Sequence, residues 1–151
     1  MTDGLTGQPA IRRVVVESLP NPMPSHHPHC VIAGDFVFVS GLVSERRADG
    51  SRIGVEDGHA GRVHDLRAQL HSIFRQLDVI LRAVGSNKTH VVDVQVFLLG
   101  MSENFAAMNE VYGTYFEANV PARTTVEVVR FPSEVLVELK VVATVGKTSR
   151  E

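Results

Sequence analysis

The chain has 151 residues and a formal charge of −2, a length that fits one domain able to bury its own core. That balance offers no basic field for nucleic acid or an anionic membrane, and no apolar run reaches the roughly eighteen residues of a membrane span. The single cysteine, Cys30, cannot close an internal disulfide, and the polar opening MTDGLTGQPA lacks the apolar core of a signal peptide, so a cytoplasmic protein is expected.

Residues 1–24 read as a flexible tail and loop, residues 25–146 as the folded domain and residues 147–151 as a second tail. Residues 12–16 have the composition of a short edge strand. Pro20, Pro22 and Pro24 then exclude helix or central strand, because proline lacks the amide donor. Residues 30–33 and 35–40 are β-rich and flank Gly34, a hairpin signal. Residues 41–61 are polar and glycine-rich and read as one long loop, a common place for function. The clearest helix covers residues 62–84. Its Val63, Leu66, Leu70, Ile73, Phe74, Leu77, Ile80, Leu81 and Val84 fall on one stripe of a 3.6-residue period, and Gly85 suits the left-handed position beyond its end.

Residues 91–99 read as a strand with Val92, Val94, Val96 and Leu98 on its apolar face. A second helix follows, with Ser102 as N-cap and Phe105, Met108, Val111, Tyr112 and Tyr115 buried, closed by Pro121. Residues 124–129 and 135–145 are the last strands. In the final one Val135, Val137, Leu139, Val141, Ala143 and Val145 share a face, opposite Leu136, Glu138, Lys140, Val142 and Thr144. This order of elements is α+β. Two helices cover one face of such a sheet, and Phe97, Val129, Leu136 and Val142 on the other would be left to further copies of the chain.

Five segments together carry a resemblance. They are Phe36-Val37-Phe38-Val39-Ser40-Gly41, the helix end Leu81-Arg82-Ala83-Val84-Gly85, the helix from Asn104 through Asn109 to Tyr112, the segment Val120-Pro121-Ala122-Arg123-Thr124-Thr125, and Val137-Glu138-Leu139 followed by Val142-Ala143. In this order and spacing they resemble the RidA/YjgF family of enamine and imine deaminases. The resemblance implies a chorismate-mutase-like mixed sheet with two helices on one face. It also implies a homotrimer whose bare sheet faces line a barrel-like core, with sites in the clefts between subunits.

Deamination of an enamine acid requires a grip on the substrate carboxylate, tautomerisation to the imine, attack by water and loss of ammonia. Arg123 matches the family's carboxylate-binding arginine, a role suited to the planar guanidinium; a surface ion pair is its structural alternative. Glu138 matches the acid that readies water and later protonates the leaving amine; an ion pair across the strands is its alternative. Ser40 and Gly41 present backbone groups to the ligand in this reading. For Asn109 a structural hydrogen bond and a ligand contact stand equal. The family's loop tyrosine is replaced in a region where His27 and His29 stand nearest, and Thr125 stands where many members have cysteine.

Residues 44–51 look like the loop of the 2-aminomuconate deaminase branch. That substrate has a carboxylate at each end, so Arg46, Arg47, Arg52 and the loop histidines become candidates for the second; a solvated loop is the alternative. The reaction transfers no electrons, so no cofactor is expected. His26, His27, His29 and Cys30 crowd one proline-broken stretch and cannot converge on a metal, so none is expected. Alternative readings are a broad-range deaminase of 2-aminoacrylate type and a trimer that binds small molecules without turning them over.

Overall fold

The computed structural model describes residues 10–146; residues 1–9 of the expected N-terminal tail and loop at 1–24, and the expected tail at 147–151, lie outside them. The elements in chain order are β1 (Ile11–Val14), β2 (Cys30–Ala33), β3 (Phe36–Leu42), β4 (Val55–Gly58), β5 (Gly61–His64), α1 (Leu66–Ala83), β6 (Val91–Leu98), α2 (Met101–Phe116), β7 (Ala122–Glu127) and β8 (Val137–Thr144). One six-stranded sheet has the order β1-β2-β3-β8-β6-β7, and β4 and β5 form a separate hairpin. All sheet pairs are antiparallel except β6–β7. A parallel pair needs a crossover, and α2 supplies it. This is the expected α+β architecture.

The sheet begins further toward the N-terminus than residue 25. β1 pairs with β2 from Ile11↔Ala33 to Val14↔Cys30, and Val16 is buried with its amide donating to His29 Nδ1 at 2.9 Å. The hairpin of β2 and β3 is as expected, closed between Ala33 and Phe36.

β8 sits in the interior of the sheet, and its period of two divides the molecule. Val137, Leu139, Val141 and Ala143 are fully buried in one cluster with Val37, Val39, Val94, Val96 and the inner faces of both helices. Phe74 of α1 stacks on Tyr115 of α2 at 3.9 Å between centroids and meets Phe116 edge-on. The opposite sheet face has no such cover among the described residues. Phe36, Phe38 and Val126 are exposed there and Phe97 and Val142 are half-buried. Two residues expected on that face are placed differently: Leu136 packs against the core before β8 begins, and Val129 lies beyond β7, 95% exposed.

Several expected boundaries move. α1 starts at Leu66 rather than at residue 62, because Arg62 and Val63 are spent on the β4–β5 hairpin and Val63 is exposed. The expected long loop therefore contains β4 and a bridge between Arg46 and Arg52. Asp65 is the N-cap of α1, its side chain accepting from the Ala68 amide at 3.0 Å. Gly85 has φ +72°, as its place beyond α1 requires. α2 starts at Met101 after Gly100, not after Ser102; its Met101 amide is satisfied by Glu127 Oε1 at 2.7 Å, from the end of β7. Phe105 is exposed and Phe116 is buried in its place. In β6 a register shift between Val91 and Asp93 turns Val92 outward and Val91 inward. A second shift, between Val39 and Leu42, places Ser40 and Gly41 at a bulge of β3.

The two caps give a direct test. Asp65→Ala should cost about 1 kcal/mol and lower the thermal midpoint by roughly 2–4 °C for a chain of this size, whereas Ser102→Ala should leave it unchanged. Thermal unfolding of the two variants reads this.

Candidate functional site

Two polar constellations stand apart in the single chain. The first lies where β7 meets α2. Arg123 is in register with Val94 of β6, on the helix-covered face. Its Nη1 donates to Asn109 Oδ1 at 2.8 Å, and its guanidinium lies 4.8 Å from the Tyr112 ring centroid, a favourable cation–π distance. Asn109 and Tyr112 are one helical turn apart, so α2 offers both from one face. No carboxylate pairs with Arg123 among the described residues. The Tyr112 hydroxyl and Thr125 Oγ1 are buried nearby in sequence register without hydrogen-bond partners, and burial pushes the Tyr112 phenol up to about 12.

The second constellation lies around the β3 bulge. Glu138 is aligned with Phe97 of β6, so it points to the face the helices leave bare. It is half-buried. Desolvation raises its carboxyl above the usual range, with His27 acting the other way. A Cβ at Gly41 would overlap Glu138 Oε1, the movable end of that side chain, so glycine leaves the carboxylate its place. Ser40 ties the preceding loop down: its Oγ donates to Pro28 O at 2.7 Å and its amide to His29 O at 2.9 Å.

His27 is exposed beside this site. His29 is not free to bind. Its Nδ1 accepts from the Val16 amide and its Nε2 sits 3.1 Å from Pro20 O, the pattern of a neutral ring, and burial lowers its pKa. Backbone groups thus take both His29 nitrogens, and the ring surface is what it offers to a cavity.

That cavity, of about 580 Å³, is lined by His27, His29, Ser40, Gly41, Arg46, Arg47 and Arg52 among others, a size suited to a small-molecule ligand. It brings together six of the expected substrate-binding residues. Arg123, Asn109, Thr125 and Glu138 do not line it, although Glu138 abuts it through Gly41. Arg123 and Glu138 lie on opposite faces of the sheet, with β6 between their strands. One chain does not join them.

Tyr112 as a platform for Arg123 was not assigned from sequence, where its place on the apolar stripe of α2 read only as core. The signal was its spacing of three from Asn109. Cys30 is fully buried and its thiol is pushed up to about 11 by that burial, which fits a packed side chain rather than a nucleophile. Among the described residues no group of three or more His, Cys, Asp or Glu side chains converges to hold a metal ion, and no helix is long and apolar enough to cross a membrane.

The chain is matched over residues 16–145 by the family model described as endoribonuclease L-PSP. A RutC family protein of Pyrococcus horikoshii is 32% identical over 132 residues, covering 86% of this chain and 94% of the relative. The 2-iminobutanoate/2-iminopropanoate deaminase of Rattus norvegicus is 27% identical over 136 residues, covering 90% of this chain and 92% of that protein. Among solved structures, yeast Mmf1 superimposes with a TM-score of 0.76 at 28% identity, covering 91% of this chain and 100% of that chain. A Rid-family protein from Yersinia pestis shares the fold, with a TM-score of 0.77 at 24% identity over 90% of this chain and 100% of that chain. The chain belongs to the endoribonuclease L-PSP family, the RidA/YjgF family whose Ser-Gly, arginine and glutamate motifs it carries.

Proposed function

We propose that this chain is a cofactor-independent deaminase that hydrolyses an enamine or imine carboxylic acid to a 2-oxo acid and ammonia. The observation that carries the reading is the posture of Arg123. A guanidinium laid on an aromatic ring, pinned through one nitrogen by Asn109 and without an acid partner among the described residues, has its remaining N–H groups ready for a carboxylate. The name of the rat relative, an imine deaminase, supports the same chemistry.

The substrate carboxylate binds Arg123. The enamine shifts a proton from nitrogen to its β-carbon and becomes the imine. Glu138 takes a proton from water as the oxygen attacks the imine carbon. It returns that proton to the nitrogen to give the carbinolamine, then carries the hydroxyl proton to the nitrogen as the C–N bond breaks, so that the C=O forms and ammonia leaves. A carboxylate with a raised pKa suits both directions of transfer. No electrons are exchanged.

The two groups occupy different faces of one chain, so the complete site requires a neighbouring copy. We place it in the clefts of a homotrimer, where one protomer supplies Arg123, Asn109 and Thr125 and its partner supplies Glu138, Gly41 and Ser40. The exposed Phe36, Phe38 and Val126 are the surface such an assembly would cover. The finer reading of the substrate is 2-aminomuconate, supported by the arginine-bearing loop. A cytoplasmic setting is supported by the one buried, unpaired cysteine.

The test is acceleration of oxo-acid or ammonia release from an imine generated in situ, with light scattering for assembly. Arg123→Ala should lose roughly 10- to 100-fold in kcat/KM while three chains stay together. Binding of a carboxylic acid with no rate above buffer would instead identify a trimeric binding protein.

Glu138→Gln should bind carboxylic acids and lose roughly 10²- to 10⁴-fold in kcat. Glu138 must be ionised to take the proton, and burial raises its pKa. The wild-type rate should therefore fall as pH drops through a value above the ordinary glutamate pKa of about 4.3, and the Gln variant should lack that limb. Undiminished turnover would remove Glu138 from the mechanism.

Gly41→Ala should separate folding from chemistry. Its methyl meets the movable end of Glu138 rather than backbone, so the thermal midpoint should change little while kcat falls.

A further inference from the structure

The His29 ring ties down a segment that has few other ties. The backbone of His29 is itself anchored on two sides: its amide donates to Val14 O at 3.0 Å, and its carbonyl accepts from the Ser40 amide at 2.9 Å. The ring accepts from the Val16 amide at Nδ1 and donates from Nε2 to Pro20 O, at 2.9 and 3.1 Å. Pairing of β1 with β2 ends at Val14. Among the described residues no other hydrogen bond links residues 16–26 to the rest of the chain. The remaining ones, such as Leu19 to Val16, Met23 to Asn21 and Ser25 to Pro22, stay within the segment. The side chains of Val16 and Leu19 add apolar contacts with the core.

This segment is a wall. Pro20 and Pro22 line the 580 Å³ cavity together with His29, Ser40 and Gly41. One imidazole therefore joins the proline wall to the bulge that sets Gly41 against Glu138. Both of its bonds demand the same protonation state. An amide N–H only donates and a carbonyl only accepts, so Nε2 carries the proton and Nδ1 is bare. An imidazolium would turn a second N–H toward that of Val16, and the turn would have to move. The ring is 7% exposed and Val16 is 8% exposed, which leaves little room for water to replace the lost acceptor.

We infer that His29 is a positioning residue: its neutral ring clamps the turn at residues 19–22 as a wall of the ligand cavity, and protonation of the ring opens that wall. The link to catalysis rests on the deaminase reading, whereas the clamp is a property of the free protein. Burial lowers the His29 pKa, the bond to Pro20 O works against this, and His27 adds to the lowering. The clamp thus costs nothing above the ordinary histidine value of about 6.5, becomes costlier as pH falls below it and is lost at the lowered value. The charged groups on the surrounding elements are Arg13 of β1, Glu17 in the turn, His27, the cavity-lining Glu45, Arg46, Arg47 and Arg52, and Glu138 behind Gly41.

The experiment follows the ring and the turn by NMR through a pH titration of the wild type, and measures 2-oxobutanoate binding calorimetrically in the wild type and in His29→Gln. Glutamine can accept and donate as the neutral ring does but does not titrate. At neutral pH the His29 signals should show a bare Nδ1 and a protonated Nε2. On acidification the amides of Val16, Leu19 and Asn21 should shift with the ring, at a midpoint below the ordinary histidine value. The ratio of wild-type to His29→Gln affinity should fall roughly three- to tenfold between about pH 7.5 and about pH 5, the worth of one hydrogen bond. Because Glu138 and His27 are present in both proteins, their titration cancels in that ratio.

A ring that protonates without moving those amides, or an affinity ratio that stays constant with pH, would overturn the clamp; acceleration of imine hydrolysis in the same protein would leave the deaminase standing. A concerted titration of ring and turn in a protein that accelerates no imine hydrolysis would keep the clamp and overturn the deaminase.

Discussion

β8 lies between β3 and β6, and its alternation governs everything around it. Val137, Leu139, Val141 and Ala143 face the helices and join the core. The residues between them, Glu138, Lys140, Val142 and Thr144, face away and are only half-buried. With both helices on one side, the carboxylate of Glu138 sits on the side that the chain cannot cover by itself. The half-buried setting raises its pKa, and the bulge of β3 presents Gly41 against it where any side chain would collide. Position and protonation behaviour both follow from one strand's parity.

Arg123 belongs to the other side of the same sheet. It stands on the edge strand β7, in line with Val94, and reaches Asn109 and Tyr112 of α2. The parallel pairing of β6 and β7 forces the chain through α2, and so the helix that makes the crossover also supplies the seat of the guanidinium. An edge strand is accessible to a neighbour. The separation of Arg123 from Glu138 within one chain and the uncovered apolar face are two aspects of one arrangement, and the proposed association of copies would relieve both.

Much of the fold was legible along the chain because periodicity reports burial. The stripe of α1, the alternation of β8 and the hairpin of β2 and β3 all appear where the pattern puts them. The errors cluster where tertiary contacts replace local signals. Arg62 and Val63 continue the helical pattern, yet they pair with β4. Ser102 has the chemistry of a cap, yet the first amide of α2 is taken by Glu127, 26 residues away in sequence. Val92 fits the alternation of β6, yet a bulge reverses its direction. For the site, residue type and motif marked Arg123, Glu138, Ser40, Gly41, His29 and the loop arginines as candidates, but the two backbone partners that take up the His29 nitrogens are not written in local sequence.

The amino-acid order by itself determined the class of fold, the family motifs and the identity of the charged groups, because these depend on local pattern and side-chain chemistry. Tertiary structure alone decided which groups meet. Sheet parity put Arg123 and Glu138 on opposite faces, the β3 bulge brought Gly41 against the carboxylate, and folding of the loop buried Arg52 without an acceptor for its Nε. Each is a matter of register and packing between segments distant in sequence, where a shift of one residue exchanges the inner face of a strand for the outer.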